Sequence, residues 1–139
     1  MKKLLVVIAL LPFAALGQEN FLGFDPTTAL YEKINFQLNE GKAKEAMTTF
    51  KEVLSAYQKE HREQEIAQGY FAMALALALN EHYKESIRFH KKAIKAHRKY
   101  RKDEPTEIEI NLGLTYQLAG KNNKAKRYFD RKVMSEQQS

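Results

Sequence analysis

The chain has 139 residues, with 23 Lys and Arg against 17 Asp and Glu for a formal charge of +6, and 44% of its residues are hydrophobic. That length holds one domain with a sizeable core, and the apolar share excludes an intrinsically disordered chain. With no cysteine, a disulfide framework, a thiol nucleophile and a cysteine-bound metal are excluded, and 3 Pro and 6 Gly beside 29% charged residues favour helix over a many-turned β fold.

Residues 1–17 differ from everything after them. Lys2 and Lys3 precede an unbroken apolar run from Leu4 to Leu11, and Pro12 leads to Ala15-Leu16-Gly17, a small-x-small pattern suited to a signal peptidase. A cleaved secretory signal is expected here, which makes the protein periplasmic or secreted; the alternative is an uncleaved anchor. The run from Leu4 to Leu16 is shorter than the roughly 20 residues a spanning helix needs, so no transmembrane segment is expected after cleavage. Cleavage removes two lysines and no acid, bringing the formal charge from +6 to +4. Residues 18–25 read as an extended lead-in whose Phe21, Leu22 and Phe24 can cover an edge of the first helix.

From residue 26 the signals are helical. Asp25-Pro26 supplies an N-cap and a first-turn proline. Six helical segments are expected at 26–39, 43–59, 63–79, 83–101, 105–118 and 122–136, followed by a polar tail at 137–139. Gly41, Asn80 and Gly120 stand where a left-handed residue ends a helix, and Pro105 restarts the chain after a charged turn. In the fourth segment Tyr83, Ile87, His90, Ile94 and His97 recur at spacings of four and three, whereas the third, around Phe71, Met73, Leu75 and Leu77, is apolar nearly all round and must be central. Turns this short make neighbouring helices antiparallel, giving three hairpins at about 27–60, 63–101 and 105–136.

The hairpins repeat. Gly41-Lys-Ala-Lys-Glu-Ala46, Glu81-His-Tyr-Lys-Glu-Ser86 and Gly120-Lys-Asn-Asn-Lys-Ala125 align at offsets of 40 and then 39 residues, each followed four positions on by Phe50, His90 or Phe129. The small residue admits close approach of the first helix, and the ring four further on lies on the same face. Asn111-Leu112-Gly113-Leu114-Thr115-Tyr116, then Gly120, Ala125 and Phe129, resembles the tetratricopeptide repeat, and the resemblance extends over about residues 27–139. The second hairpin keeps Tyr83, Ser86 and Ala93 but has Met73-Ala74 for the Leu-Gly pair; the first keeps Gly41, Ala46 and Phe50 but has Lys33-Ile34 there. Periods of 39 and 40 exceed the family's length of about 34.

The resemblance implies an all-α solenoid that acts as a non-catalytic scaffold or adaptor, binding a protein or peptide partner in a concave groove. Carried over by position, the groove is lined by Tyr31, Asn35 and Leu38, then Phe71, Leu75 and Ala78, then Ile110, Leu114 and Gln117. The family's grip on a peptide C-terminal carboxylate needs Lys, Asn and Arg where this chain has Tyr31 with Asn35, Ala72, and Glu107 with Asn111. Only Asn35 survives, so that clamp is not expected.

Nothing in the sequence calls for catalysis, a cofactor or a metal. His90 and His97 are seven apart, about 10 Å along a helix and too far to share an ion, and no HExxH, phosphate loop or nucleophile elbow occurs. His90 stands at a packing position, and His61 and His82 at turns. The sharpest electrostatic feature is the run from Lys84 to Lys102, with Arg88, Lys91, Lys92, Lys95, Arg98, Lys99 and Arg101 between them and Glu85 as its single acid. It reads either as a solvated face, balanced across the hairpin by Glu60, Glu63 and Glu65, or as a surface for an anionic partner. Nucleic acid is disfavoured, since Phe89 and Tyr100 are too far apart for a stacking platform. Self-association is a further reading, because no capping helix follows Val133 and Met134.

Overall fold

A computed structural model of the protein describes the backbone of residues 26–138 and the side chains of residues 27–130. The signal and lead-in expectations lie outside the described residues, and those for Val133 and Met134 outside the described side chains. Among the described residues the fold is all-helical, with α1 (Pro26–Asn39), α2 (Ala43–Lys59), α3 (Glu63–Leu79), α4 (Tyr83–Tyr100), α5 (Thr106–Leu118) and α6 (Asn122–Gln138). None of these helices is long and apolar enough to cross a membrane. α6 continues to Gln138, so residues 137 and 138 belong to a helix and not to a polar tail. α4 stops at Tyr100, and Pro105 caps α5 from just outside it.

Four of the turns share one backbone device. At α1–α2, the Gly41 amide donates to the Leu38 carbonyl and the Lys42 amide to Gln37; the same pattern recurs at His61–Arg62, Glu81–His82 and Gly120–Lys121. These paired bonds satisfy helix-end carbonyls and require a left-handed residue at their centre. Gly41 and Gly120 supply it with φ of 78° and 80°, as expected, but the other turns use His61 at 55° and Glu81 at 67°. Asn80, expected in that role, is one residue early. It keeps φ of −100°, and its side-chain amide donates back to the Ala76 carbonyl.

Each helix packs chiefly on its neighbours in sequence, and α3 against α4 is the most extensive pairing. The reason is in α3's residues: Ala67, Gly69, Ala72, Ala74 and Ala76 are small and buried, so backbones approach closely. A Cβ on Gly69 would stand 3.1 Å from the Tyr31 hydroxyl, and one on Gly113 of α5 only 2.9 Å from the Phe129 ring. One core cluster joins Tyr31, Ile34, Phe50 and Val53 to Met73, Leu77 and Phe89; a second joins Ile87 and Ile94 to Ile108, Leu112 and Ala125. Tyr70 packs against both. Side chains as fully enclosed as Phe50, Ile34, Leu77 and Leu112 contribute roughly 1.5–3 kcal/mol each. Ala46, Ser86 and Ala125, the small residues of the repeat, are all buried, and the Ser86 hydroxyl donates to the Ala74 carbonyl across the α3–α4 contact at 2.7 Å.

Candidate functional site

The basic run of α4 divides by helical angle. Arg88, Lys92, Lys95 and Lys99 follow one another at steps of four, three and four residues and form one stripe. Opposite them, α2 presents Lys44, Met47, Lys51 and Leu54 at steps of three, four and three. No Cα of α2 lies within 8 Å of one in α4, so the two helices stand apart with an open trough between them. Its floor is made of rings from three helices. Phe50 and Tyr70 meet edge-on with centroids 5.6 Å apart, Phe50 and Phe89 at 5.8 Å, and Tyr70 and Phe89 at 6.0 Å.

The trough comprises two cavities that share Tyr70 and Lys92. One, of 360 Å³, lies between Lys44, Lys51 and Leu54 on one side and Arg88 and Lys92 on the other. The next, of 380 Å³, runs on past Ile66 to Lys95 and Lys99, with Gln58 and Glu63 at its edge. The cation stems lie on the aromatic floor: Lys92 Nζ is 5.9 Å from the Tyr70 ring and 5.7 Å from that of Phe89, and the Arg88 guanidinium is 5.5 Å from Phe89. The Arg88 guanidinium also donates to Met47 Sδ at 3.4 Å. Lys44, Lys51, Arg88, Lys92, Lys95 and Lys99 are exposed, and none forms an ion pair among the described residues. Among those residues Glu63 is the one carboxylate lining either cavity. Burial pushes the Tyr70 hydroxyl above the usual tyrosine range, so it stays neutral.

The rest of the run has other surroundings. Lys91 Nζ lies 5.8 Å from the Tyr116 ring of α5, and Arg98 pairs with Glu104 at 3.9 Å. Lys84 and Lys102 line neither cavity. The expected balancing of the run by Glu60 and Glu65 does not occur, because both carboxylates are taken by Arg62 of the preceding turn, at 3.6 and 3.3 Å. Past α4, Arg101 donates to Asp103 at 2.7 Å, which holds that exposed carboxyl below its usual range; His97 approaches the same carboxylate at 3.3 Å. His97 and Asp103 border a 290 Å³ cavity with Phe71, Tyr100, Glu107 and Ile108.

The nine residues expected to line an apolar groove do not share one open surface. Tyr31, Asn35 and Leu38 are 3%, 5% and 2% exposed and belong to the core, a correction to the sequence reading. Tyr31 reaches Gly69 of α3 and brings its hydroxyl to 3.1 Å from that of Tyr57, while the Asn35 amide donates to the Tyr31 carbonyl at 3.0 Å. Phe71, Leu75 and Ala78, at the equivalent places one repeat on, are half-buried; Phe71 packs into the second core cluster and edge-on to His90 at 5.9 Å. Ile110 and Leu114 are 38% and 44% exposed, and Gln117 is open too. The positions face the following pair of helices, which covers the first set, partly covers the second, and has no described counterpart beyond α6.

His90 is fully buried. Its Nδ1 lies 2.9 Å from the Ser86 carbonyl, its Nε2 has no partner among the described residues, and burial pushes its pKa down to about 4. It is a neutral packing ring. Among the described residues no three His, Asp or Glu side chains gather in a way that could hold a metal ion.

Sequence reasoning identified the α4 half of the trough and missed the α2 half. Lys44 and Lys51, seven apart with Met47 and Leu54 interleaved, carried a readable signal: two cations and two apolar groups on one stripe of a helix whose adjoining stripe, Ala46, Phe50, Val53 and Tyr57, is core. No protein-family model matches the chain, and no curated protein or solved structure matches it either.

Proposed function

We propose that this protein is a non-catalytic interaction module, a tetratricopeptide-like stack of three antiparallel helical hairpins, exported to the periplasm or cell exterior, which binds an anionic partner through the trough between α2 and α4. The recurrence of one turn geometry at Gly41, Glu81 and Gly120, each followed five residues later by a buried small residue, supports the repeat reading. The residues 1–17 pattern supports export.

The observation that carries the binding role is the set of six exposed cations, none in an ion pair among the described residues, arrayed on both sides of an aromatic floor. Cations on a merely solvated face have no reason to converge from two helices around aromatic rings, and six charges of one sign raise the local potential that draws an anion in. The interaction is screened by salt. The full chain is therefore expected to be retained on an immobilised polyanion at low ionic strength and released as salt rises. Arg88→Gln/Lys92→Gln/Lys95→Gln is expected to elute markedly earlier with its helical circular dichroism unchanged. Absence of retention at low salt by the folded protein rules the reading out.

A further inference from the structure

We infer that the connection between α4 and α5 is a site of limited proteolysis, cut beside the Arg101-Lys102 pair by a protease that takes an extended chain and reads Arg or Lys through an anionic specificity pocket. This is independent of the anionic-partner reading and concerns a second class of partner.

A chain with 23 Lys and Arg offers such a protease many bonds, and backbone conformation decides among them. The segment around the broken bond must lie extended in the protease's cleft, so a basic residue inside a helix is reached only after a stretch of that helix opens. Between residues 26 and 130 the basic residues outside helices are Lys42, Arg62, Arg101, Lys102 and Lys121. Lys42, Arg62 and Lys121 each follow a left-handed residue and commit their amides to the Gln37, Tyr57 and Tyr116 carbonyls, which closes those turns. Arg62 is also engaged by Glu60 and Glu65, and its guanidinium lies 5.0 Å from the Tyr57 ring.

The α4–α5 connection is built otherwise. It spans five residues, 101–105, against three in each of the other turns. Arg101 already has extended backbone, with φ of −132° and ψ of 148°. Residues 101–104 are all exposed, and among the described residues the amides of Lys102, Asp103 and Glu104 donate to no backbone carbonyl. Little has to open before a protease can bind this segment. Its restraint comes from side chains that meet at one carboxylate: Asp103 accepts from Arg101 at 2.7 Å and lies 3.3 Å from His97 Nε2. Asp103 thereby also holds the Arg101 guanidinium that the specificity pocket must take, and slows the cut.

In the cut, the oxygen of water bonds to the carbonyl carbon of Arg101 or Lys102, the peptide C–N bond breaks, and the two protons of water end on the leaving nitrogen. One new carboxylate and one new ammonium result. Every residue lining the trough lies before the cut, so α1 to α4 stay in one piece, and α5 and α6 are held by non-covalent packing such as that of Ile108 and Leu112 with Ile87 and Ile94.

The test is digestion of the full native chain with a small amount of trypsin, followed over time by intact-mass spectrometry. Among bonds between residues 26 and 130, the first to break is expected to follow Arg101 or Lys102. Arg101→Gln/Lys102→Gln is expected to slow the first cut in that interval by about tenfold or more, with helical circular dichroism unchanged. Asp103→Asn is expected to speed the cut at the connection by about threefold and to leave the cuts after Lys42 and Lys121 unchanged, a local gain that general unfolding could not imitate. A first cut elsewhere in the interval, or equally fast loss of the intact chain in the folded double variant, overturns the site. An unchanged or slower cut in Asp103→Asn, or equal acceleration after Lys42 and Lys121, overturns the restraint by Asp103.

Discussion

His90 shows how one residue can be legible as packing and still carry a consequence that the pattern alone does not reveal. It occupies the place of Phe50 and Phe129, and burial leaves Nε2 without a partner among the described residues. A neutral imidazole tolerates that site, and an imidazolium does not. With the folded pKa at about 4 against an ordinary value of 6.5, the unfolded chain binds the proton first, so between those values stability rises with pH. The His90 contribution is fully present above pH 6.5 and is lost as pH falls toward 4, a total of about 3 kcal/mol. Urea denaturation across that range is expected to show the loss in the native protein. His90→Phe, which restores the ring found at the two equivalent positions, is expected to flatten that part of the profile, and an unchanged slope in a folded His90→Phe would assign the proton to another group.

Between residue and fold stands the turn, where backbone conformation decides what the side chain costs. Gly41 and Gly120 adopt left-handed φ, and the space a Cβ would take up at either has no atom within 4 Å, so replacing either by Ala tests backbone strain without any packing change. A left-handed non-glycine residue costs about 1–2 kcal/mol, partly offset because glycine loses more freedom on folding. His61, exposed and at φ of 55°, already bears that strain. His61→Gly is expected to raise stability by about 0.5–1 kcal/mol and Gly41→Ala to lower it by about 1 kcal/mol, read as opposite shifts of Tm of a few degrees. The same turns show what was readable in advance. The helices were legible because Pro26, Gly41, Pro105 and Gly120 punctuate the chain and the apolar residues recur at helical spacing. The left-handed residue at Glu81 was visible only through its alignment with the two glycines, because Asn80 is by local preference the better left-handed residue. The trough was half legible for a different reason: a basic run is a property of one helix, whereas a channel depends on which stripe of α2 faces α4. That is set by packing of Phe50, Tyr70 and Phe89 from three separate helices.

At the scale of the whole molecule the helices are unequally supported, and their order in the chain decides which are weak. α3 is covered by neighbours on almost every side, with Ala72, Met73, Ala74, Ala76 and Leu77 all inaccessible. α5 buries Ile108, Leu112 and Tyr116 but leaves Ile110, Leu114 and Leu118 open, the last 62% exposed. A helix pair with less of its apolar surface covered opens at lower free energy than one enclosed on every side, so α5 and α6, with Ile110, Leu114 and Leu118 open, are less protected than α3. Amide hydrogen exchange is expected to be slowest in α3 and α4 and faster in α5 and α6. Leu112→Ala removes a fully buried side chain from the α5 side of the second core cluster, where such truncations cost about 2–5 kcal/mol. If the stack is divisible, that loss speeds exchange in α5 and α6 well before it reaches α3. The trough, built wholly from α2, α3 and α4, is then expected to keep its retention on an immobilised polyanion in a variant whose last two helices have loosened. Uniform acceleration through all six helices, with retention lost in step, would mean that the chain opens as a single cooperative unit and that the trough depends on the far end of the molecule.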